Sequence, residues 1–334
     1  MKSIDRILAV GKKVDPLIYR FLPADADKTF QPVLRHQISS GGKRVRAALT
    51  VLSCQATGGK TRDALIPAAI VELTHNYSLI LDDVIDRGDV RRGLPTVRAQ
   101  YSDAMAILAA MFYREVLDRL IEASRNPVQV RKVAVSAIKA LIDGERLDIL
   151  MEQSGRTGAY IEKHRFTEVR IDDYLHMIGK KTAALIKAAC ELGCIASNCP
   201  PKMRGSMKSY GWKIGLAFQV IDDYLDIFGE ETGKVQGKDI IEHKLGNAVI
   251  MYALEAMGED EQRAFLSLLR KEALSQEDLG EGMRLIQQTD ARERTFNMGQ
   301  RLVSEGIEAV RGLADSWAKK DLTSLAEFIG ERLY

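Results

Sequence analysis

The stretch IPAAIVELTHNYSLILDDVIDRGDVRRG, residues 66–93, decides the fold. It stays apolar for about five helical turns. It then ends in Asp82, Asp83 and Asp86, with Arg91 and Arg92 close behind. Leu73, Tyr77, Leu79, Ile80, Leu81, Val84 and Ile85 cover most of the helix circumference, the pattern of a central helix enclosed by others. Asp82 and Asp86 share one face, with Asp83 beside them. Three carboxylates at the negative end of a helix dipole repel one another and add nothing to stability. The arrangement calls for a cation, and a hard divalent ion shared with a phosphate ligand is the natural one.

Working outward, the same pattern returns in GWKIGLAFQVIDDYLDIFG, residues 211–229, where Asp222, Asp223 and Asp226 close a second apolar helix. One such acid turn is commonly a solvated helix end. Two copies, each ending a buried helix, point to a shared diphosphate held through magnesium. Cations occur where phosphates would need them. GGKRVR, residues 41–46, joins a flexible backbone to Lys43, Arg44 and Arg46 at the start of an apolar helix, in the manner of a phosphate cradle. Lys181 and Thr182 interrupt the small-residue segment IGKKTAALIKAAC, residues 178–190. Gln219 lies one turn before Asp222. Lys234 and Lys244 belong to GEETGKVQGKDIIEHKLG, residues 229–246, a charged loop that suits a lid over an anion.

The rest of the chain reads as helix after helix, with no sustained strand alternation. Helices are expected at 3–20, 28–40, 43–57, 61–87, 95–122, 127–153, 170–197, 202–228, 246–257, 260–272, 276–312 and 321–332, punctuated by Gly and Pro. No low-complexity linker divides them, so a single all-α domain over residues 1–334 is expected. With 46% hydrophobic residues and a net charge of +2, the chain can bury a large core and is not built for nucleic acid. The N-terminal segment carries no signal-peptide pattern, and charged or polar residues break every apolar run before it could span a bilayer. A cytoplasmic protein without stable membrane insertion is the expectation. Cys54, Cys190, Cys194 and Cys199 lack zinc-site spacing and read as reduced thiols.

GGKRVR, DDVID followed by RGDVRRG, KT, FQVIDDYLD and TGKVQGKD, in this order and spacing, resemble a trans-isoprenyl diphosphate synthase of the polyprenyl synthetase family. The resemblance implies the isoprenoid synthase fold, a bundle of about ten to thirteen helices around an apolar cavity. It implies condensation of an allylic diphosphate with isopentenyl diphosphate, and a homodimer. Carried over by position, Asp82, Asp86 and Asp222 are the implied ligands of about three magnesium ions. Asp83, Asp223, Asp226 and Asp239 complete the acid clusters. Arg91, Lys181, Thr182, Gln219, Lys234 and Lys244 are the implied allylic-diphosphate contacts. Lys43, Arg46, His75 and Arg92 are those of isopentenyl diphosphate. Tyr77, five residues before Asp82, and the small Ser78 beside it imply a short product. Geranylgeranyl diphosphate is expected, with farnesyl diphosphate or a non-catalytic subunit as alternatives. The chain departs from the family pattern at Leu81, at Ala110-Met111 and in KLGNAV after Glu242-His243.

Overall fold

The computed structural model describes residues 3–229 and 236–332. Its chain forms two compact units, one comprising Met1–Ile138, Leu185–Gly211 and Ala309–Leu325, the other Lys139–Ala184, Trp212–Glu308 and Ala326–Tyr334. Each boundary falls inside a helix rather than in a loop.

The first unit opens with α1 (Ser3–Lys12), α2 (Asp15–Phe21), α3 (Gln31–Ser39) and α4 (Val45–Ala56). The 25-residue α5 (Thr61–Ile85) follows, then a two-residue hairpin of β1 (Val90–Arg91) and β2 (Leu94–Pro95), α6 (Val97–Tyr101) and α7 (Asp103–Glu122). Helix α5 packs against α4 and α7, and α1 covers α4. Ala64, Ala68, Ala69, Leu73 and Ile80 of α5 are fully enclosed, as the apolar run requires. By length and composition α5 could cross a membrane, but 72% of its most apolar window is buried within the protein.

The chain continues through α8 (Pro127–Met151), α9 (Ala159–His164), α10 (Ile171–Ile178), a π-turn (Gly179–Ala183), α11 (Ala184–Ser197) and α12 (Pro201–Phe228). It ends with α13 (Lys238–Ile241), α14 (Ala248–Ala256), α15 (Glu259–Leu269), α16 (Gln276–Gln287), α17 (Ala291–Val310) and α18 (Trp317–Glu331). Within the second unit Ile227, Ile240, Val249, Ile250, Phe265, Leu285 and Ile286 form one apolar cluster that fixes α13 and α14 under the end of α12.

The expected all-α class is met, with eighteen α-helical segments among the described residues where twelve spans were expected. The extra breaks have local causes. Pro16 sits in the first turn of α2 and favours a new helix start there. Ser102 takes φ 118° and its hydroxyl caps α7, dividing 95–122. Thr289 accepts from Ala291 N at 3.3 Å and separates α16 from α17. Of the four cysteines, Cys54, Cys190 and Cys194 are buried free thiols, and burial pushes Cys54 and Cys190 up to about 12, which keeps them inert.

Candidate active site

In the first unit, α5 ends where its acids begin. Asp86 is the C-cap, and the turn closes through Gly88 N donating to Asp83 O at 2.9 Å. Asp82 is half-buried and Asp86 exposed, whereas Asp83 is only 4% exposed. The hairpin brings Arg91 back onto Asp83, with Nε at 2.9 and 3.1 Å from its two oxygens and Nη2 at 2.7 Å. Asp83 is therefore neutralised by a forked guanidinium, and the hairpin that carries Arg91 is anchored by the helix that carries the acids.

About two and three turns earlier on α5 lie His75 and Glu72. Arg46 Nη1 stands 3.1 Å from His75 Nε2. Because a guanidinium only donates, Nε2 accepts and the ring is neutral with its proton on Nδ1. Burial, reinforced by the charges of Arg46, Arg92, Arg91 and Arg44, holds the His75 ring well below its usual range. Arg92 donates to Gly41 O. Lys43 is exposed beside it. The expected isopentenyl-diphosphate residues Lys43, Arg46, His75 and Arg92 thus gather around one loop. Arg44 does not join them. Its side chain is 3% exposed and is bound internally, so the three-cation cradle read from GGKRVR is a pair of accessible cations and one buried one. Tyr77 is 5% exposed, its hydroxyl finds no hydrogen-bond partner among the described residues, and burial pushes it up to about 12. Ser78 donates to His75 O at 2.9 Å.

In the second unit, the π-turn sets Lys181 and Thr182. A π-turn inserts one residue into a helix and is common at functional positions. Three glycines make room for it. A Cβ at Gly144 would stand 2.6 Å from Lys181 Cα, one at Gly179 2.7 Å from the Trp212 ring, and one at Gly215 2.6 Å from Ala183 Cα. Thr182 Oγ1 donates to Gln219 Oε1 at 2.8 Å, and Gln219 Nε2 donates to Asp223 Oδ1 at 3.0 Å. Asp223 Oδ2 also accepts from Tyr174 Oη at 2.6 Å and from Ala248 N at 3.0 Å. Asp223 is 3% exposed; burial, with Asp239 nearby, drives its carboxyl well above the usual range. It caps α14 and orients Gln219. Asp226 is raised to about 6 by burial and by Asp239, although Lys238 N and Asp239 N each donate to it at 3.1 Å. Asp222 meets Arg332 at 2.9 Å.

Lys181 and Lys244 come together on one carboxylate that the motifs did not reveal. Lys181 Nζ is 2.5 Å from Asp148 and 2.8 Å from Glu145. Lys244 Nζ is 2.9 Å from Glu242, 3.7 Å from Asp148 and 3.8 Å from Asp239. Burial opposes ionisation of Asp148, but the two ammoniums outweigh it and hold the carboxyl at about 2. The signal available in sequence was GERLD, residues 144–148: two acids three apart on the buried side of α8, behind a glycine. Lys234 lies outside the described residues.

The acids are hard oxygen donors, and Asp239 stands close enough to Asp226 to raise its carboxyl further than burial alone does. Among the described residues no three His, Cys, Asp or Glu side chains form a metal cage by themselves. That is the usual condition of magnesium, which keeps waters and takes phosphate oxygens along with one or two carboxylates. The acid clusters fit the ion.

Residues 27–286 match the polyprenyl synthetase family. Geranylgeranyl diphosphate synthase of Methanosarcina mazei is 30% identical over 340 residues, covering 100% of this chain and 99% of its own. Heptaprenyl diphosphate synthase component 2 of Geobacillus stearothermophilus is 31% identical, covering 90% of this chain and 88% of its own. The crystal structure of geranylgeranyl pyrophosphate synthetase from Pyrococcus horikoshii superposes with a TM-score of 0.89 at 30% identity, covering 99% of this chain and 98% of that one. With the whole length accounted for in sequence and in helix arrangement alike, this chain belongs to the polyprenyl synthetase family.

Proposed function

We propose that the protein is a prenyltransferase joining an allylic diphosphate to isopentenyl diphosphate, with geranylgeranyl diphosphate as its product and farnesyl diphosphate as the alternative. One observation carries the reading. Lys181, Thr182, Gln219 and Lys244 come from three separated stretches and form adjoining polar networks, anchored on Asp148 and Asp223. Such a bank of fixed donors serves a leaving diphosphate. The names of the Methanosarcina and Pyrococcus relatives favour the twenty-carbon product.

In this reading Asp82 and Asp86 of the first unit and Asp222 of the second would be the magnesium ligands, and about three such ions would supply positive charge to the departing diphosphate. Lys181, Lys244, Lys234 and Arg91 bind the same group, Thr182 and Gln219 fix its orientation, and Asp226 and Asp239 add charge to the second cluster. Asp83 keeps Arg91 in place. Lys43, Arg46, His75 and Arg92 bind the diphosphate of the isopentenyl unit. The proton lost after carbon–carbon bond formation passes to the departing diphosphate. Tyr77 blocks the far end of the growing chain.

The whole chain acts as one catalytic domain, a reading supported by unit boundaries that fall within continuous helices. A cytoplasmic homodimer is the working form. On α7, Ile107, Leu108 and Met111 are 43%, 48% and 61% exposed on one face, a stripe suited to a second copy. Met111→Asp should yield monomer by light scattering. The function is tested by incubating purified protein with magnesium, labelled isopentenyl diphosphate and each allylic primer, then analysing the prenyl alcohols after phosphatase. One discrete product supports the reading; absence of label in any prenyl alcohol sinks it.

A further inference from the structure

Arg44 carries the consequence that the motif reading leaves out. It stands at the N-cap of α4 with φ 52°, a left-handed conformation that costs a non-glycine residue about 1 kcal/mol or more. Its guanidinium satisfies four acceptors: Asp15 Oδ1 at 2.8 Å, Gly41 O at 2.9 Å, Ile38 O at 3.1 Å and Glu72 Oε1 at 3.4 Å. These come from α2, from the loop that bears Lys43, from the end of α3 and from α5. Arg44 and Glu72 side chains are each 3% exposed, so neither is available to a ligand in solution.

The neighbours fit around this group. Gly11 lies against it, where a Cβ would stand 3.0 Å from Arg44 Cβ. A Cβ on Gly42 would stand 2.8 Å from Nη1 of both Arg44 and Arg92. Gly41 O accepts from Arg44 and from Arg92, so one peptide carbonyl links the buried guanidinium to an exposed one. Glu72, which also accepts from Asn76 Nδ2 at 3.2 Å, is one turn before His75, the partner of Arg46. Burial raises the Glu72 carboxyl while Arg44 and Arg46 act against it. Removing Arg44 takes from the buried Glu72 its guanidinium partner, whereas removing Glu72 leaves Arg44 its bond to Asp15 but frees the helix turn from the hub.

We propose that Arg44, through Glu72 and Gly41, is the positioning residue of the isopentenyl-diphosphate subsite: it binds no phosphate but fixes the loop and the helix turn from which Lys43, Arg46, His75 and Arg92 reach the ligand. The inference rests on the assignment of those four residues to isopentenyl diphosphate. The geometry explains why arginine is needed there. A lysine ammonium supplies three donors from one point, whereas the planar fork reaches acceptors on opposite sides at once.

The test uses Arg44→Lys, the nearly isosteric Glu72→Gln and wild type. Isopentenyl diphosphate binding is followed by calorimetry, and KM for each substrate, kcat and the melting temperature are measured alongside. Both variants are expected to lose about tenfold or more in affinity and KM for isopentenyl diphosphate, since misplacement by about 1 Å costs up to two orders of magnitude. The allylic KM should stay within about twofold, because Lys181, Thr182, Gln219 and Lys244 lie on other elements and Arg91 is held by Asp83 rather than by Arg44. Arg44→Ala should be worse than Arg44→Lys in the same parameter. A merely structural role would lower the melting temperature and the active fraction without separating the two KM values. Should Arg44→Lys fail to fold, Glu72→Gln decides the matter alone. If wild type binds isopentenyl diphosphate and the variants change both KM values equally, or neither, the proposal alone is overturned. Wild type that binds no isopentenyl diphosphate overturns it together with the functional reading.

Discussion

Gly144 on α8 lies against the backbone of Lys181, where a Cβ would stand 2.6 Å from the Lys181 Cα. Glycine in a helix interior costs about 0.5–1 kcal/mol relative to alanine, so its presence needs a reason. The reason is the π-turn, which has to approach α8 closely for Lys181 to reach Glu145 and Asp148. Gly144→Ala is expected to force the two backbones apart at a cost of about 1–3 kcal/mol, as overpacking does. The allylic kcat/KM should fall by about tenfold or more as Lys181 shifts. Thermal unfolding and steady-state kinetics check both; unchanged kinetics with lowered stability would detach the π-turn from the chemistry.

The Arg46–His75 contact makes a prediction about protons. With Nε2 accepting from Arg46, His75 should show the neutral Nδ1–H tautomer in nitrogen-15 spectra and stay neutral through the range in which exposed histidines titrate. The folded ring is held below the unfolded value near 6.5, so at lower pH the unfolded chain binds the extra proton. The contribution is present above about pH 6.5 and is lost as pH falls below it. His75→Asn should therefore flatten the slope of stability against pH immediately below that value. An imidazolium signal from His75 at neutral pH would exclude the assigned geometry.

Asp148 gives a loss of the same sign in a more acid window. Its carboxyl sits at about 2 in the folded protein, below the ordinary aspartate value near 3.9. The stability it adds is complete above the unfolded value and disappears as pH falls through about 2. At neutral pH, Asp148→Asn should cost on the order of 2 kcal/mol. This is less than the ~3–5 for an isolated buried pair, because Lys181 keeps Glu145 and Lys244 keeps Glu242. The gap between variant and wild type should close near pH 2. Chemical denaturation across pH measures it, and a gap independent of pH would show that the two lysines do not depend on this carboxylate.

What could be read from the chain beforehand follows from how local the signals are. Helices α5 and α12 were legible because each combines a long apolar run with a terminal acid cluster within one stretch. Lys181 and Thr182 were legible as chemistry but not as geometry, because Gly144, Gly179 and Gly215, which admit the π-turn, come from separate helices or turns. Asp148 carries no distinctive spacing, and its partner lysines lie 33 residues from it in one case and across a loop in the other. Arg44 looked like one of three equivalent cations. Asp15 and Glu72, 29 and 28 residues away in sequence, distinguish it as the buried one.

The last expectation concerns the length of the product. Tyr77 lies on α5 five residues before Asp82, about 7–8 Å along the axis at about 1.5 Å per residue. Its hydroxyl is buried without a partner among the described residues, a costly condition. In the proposed function the ring is the stop that sets where a growing chain ends. Tyr77→Ala removes that stop and should shift the product to longer prenyl diphosphates by at least one five-carbon unit. The variant should lose about 3 kcal/mol of stability from the cavity it opens, and bound long-chain product should restore part of it. Tyr77→Phe keeps the ring and discards the unpaired hydroxyl, so it should keep the wild-type chain length and be equally or more stable. Chromatography of the dephosphorylated products separates these outcomes. If Tyr77→Ala makes the same product as wild type, the tyrosine is ordinary packing and not the stop.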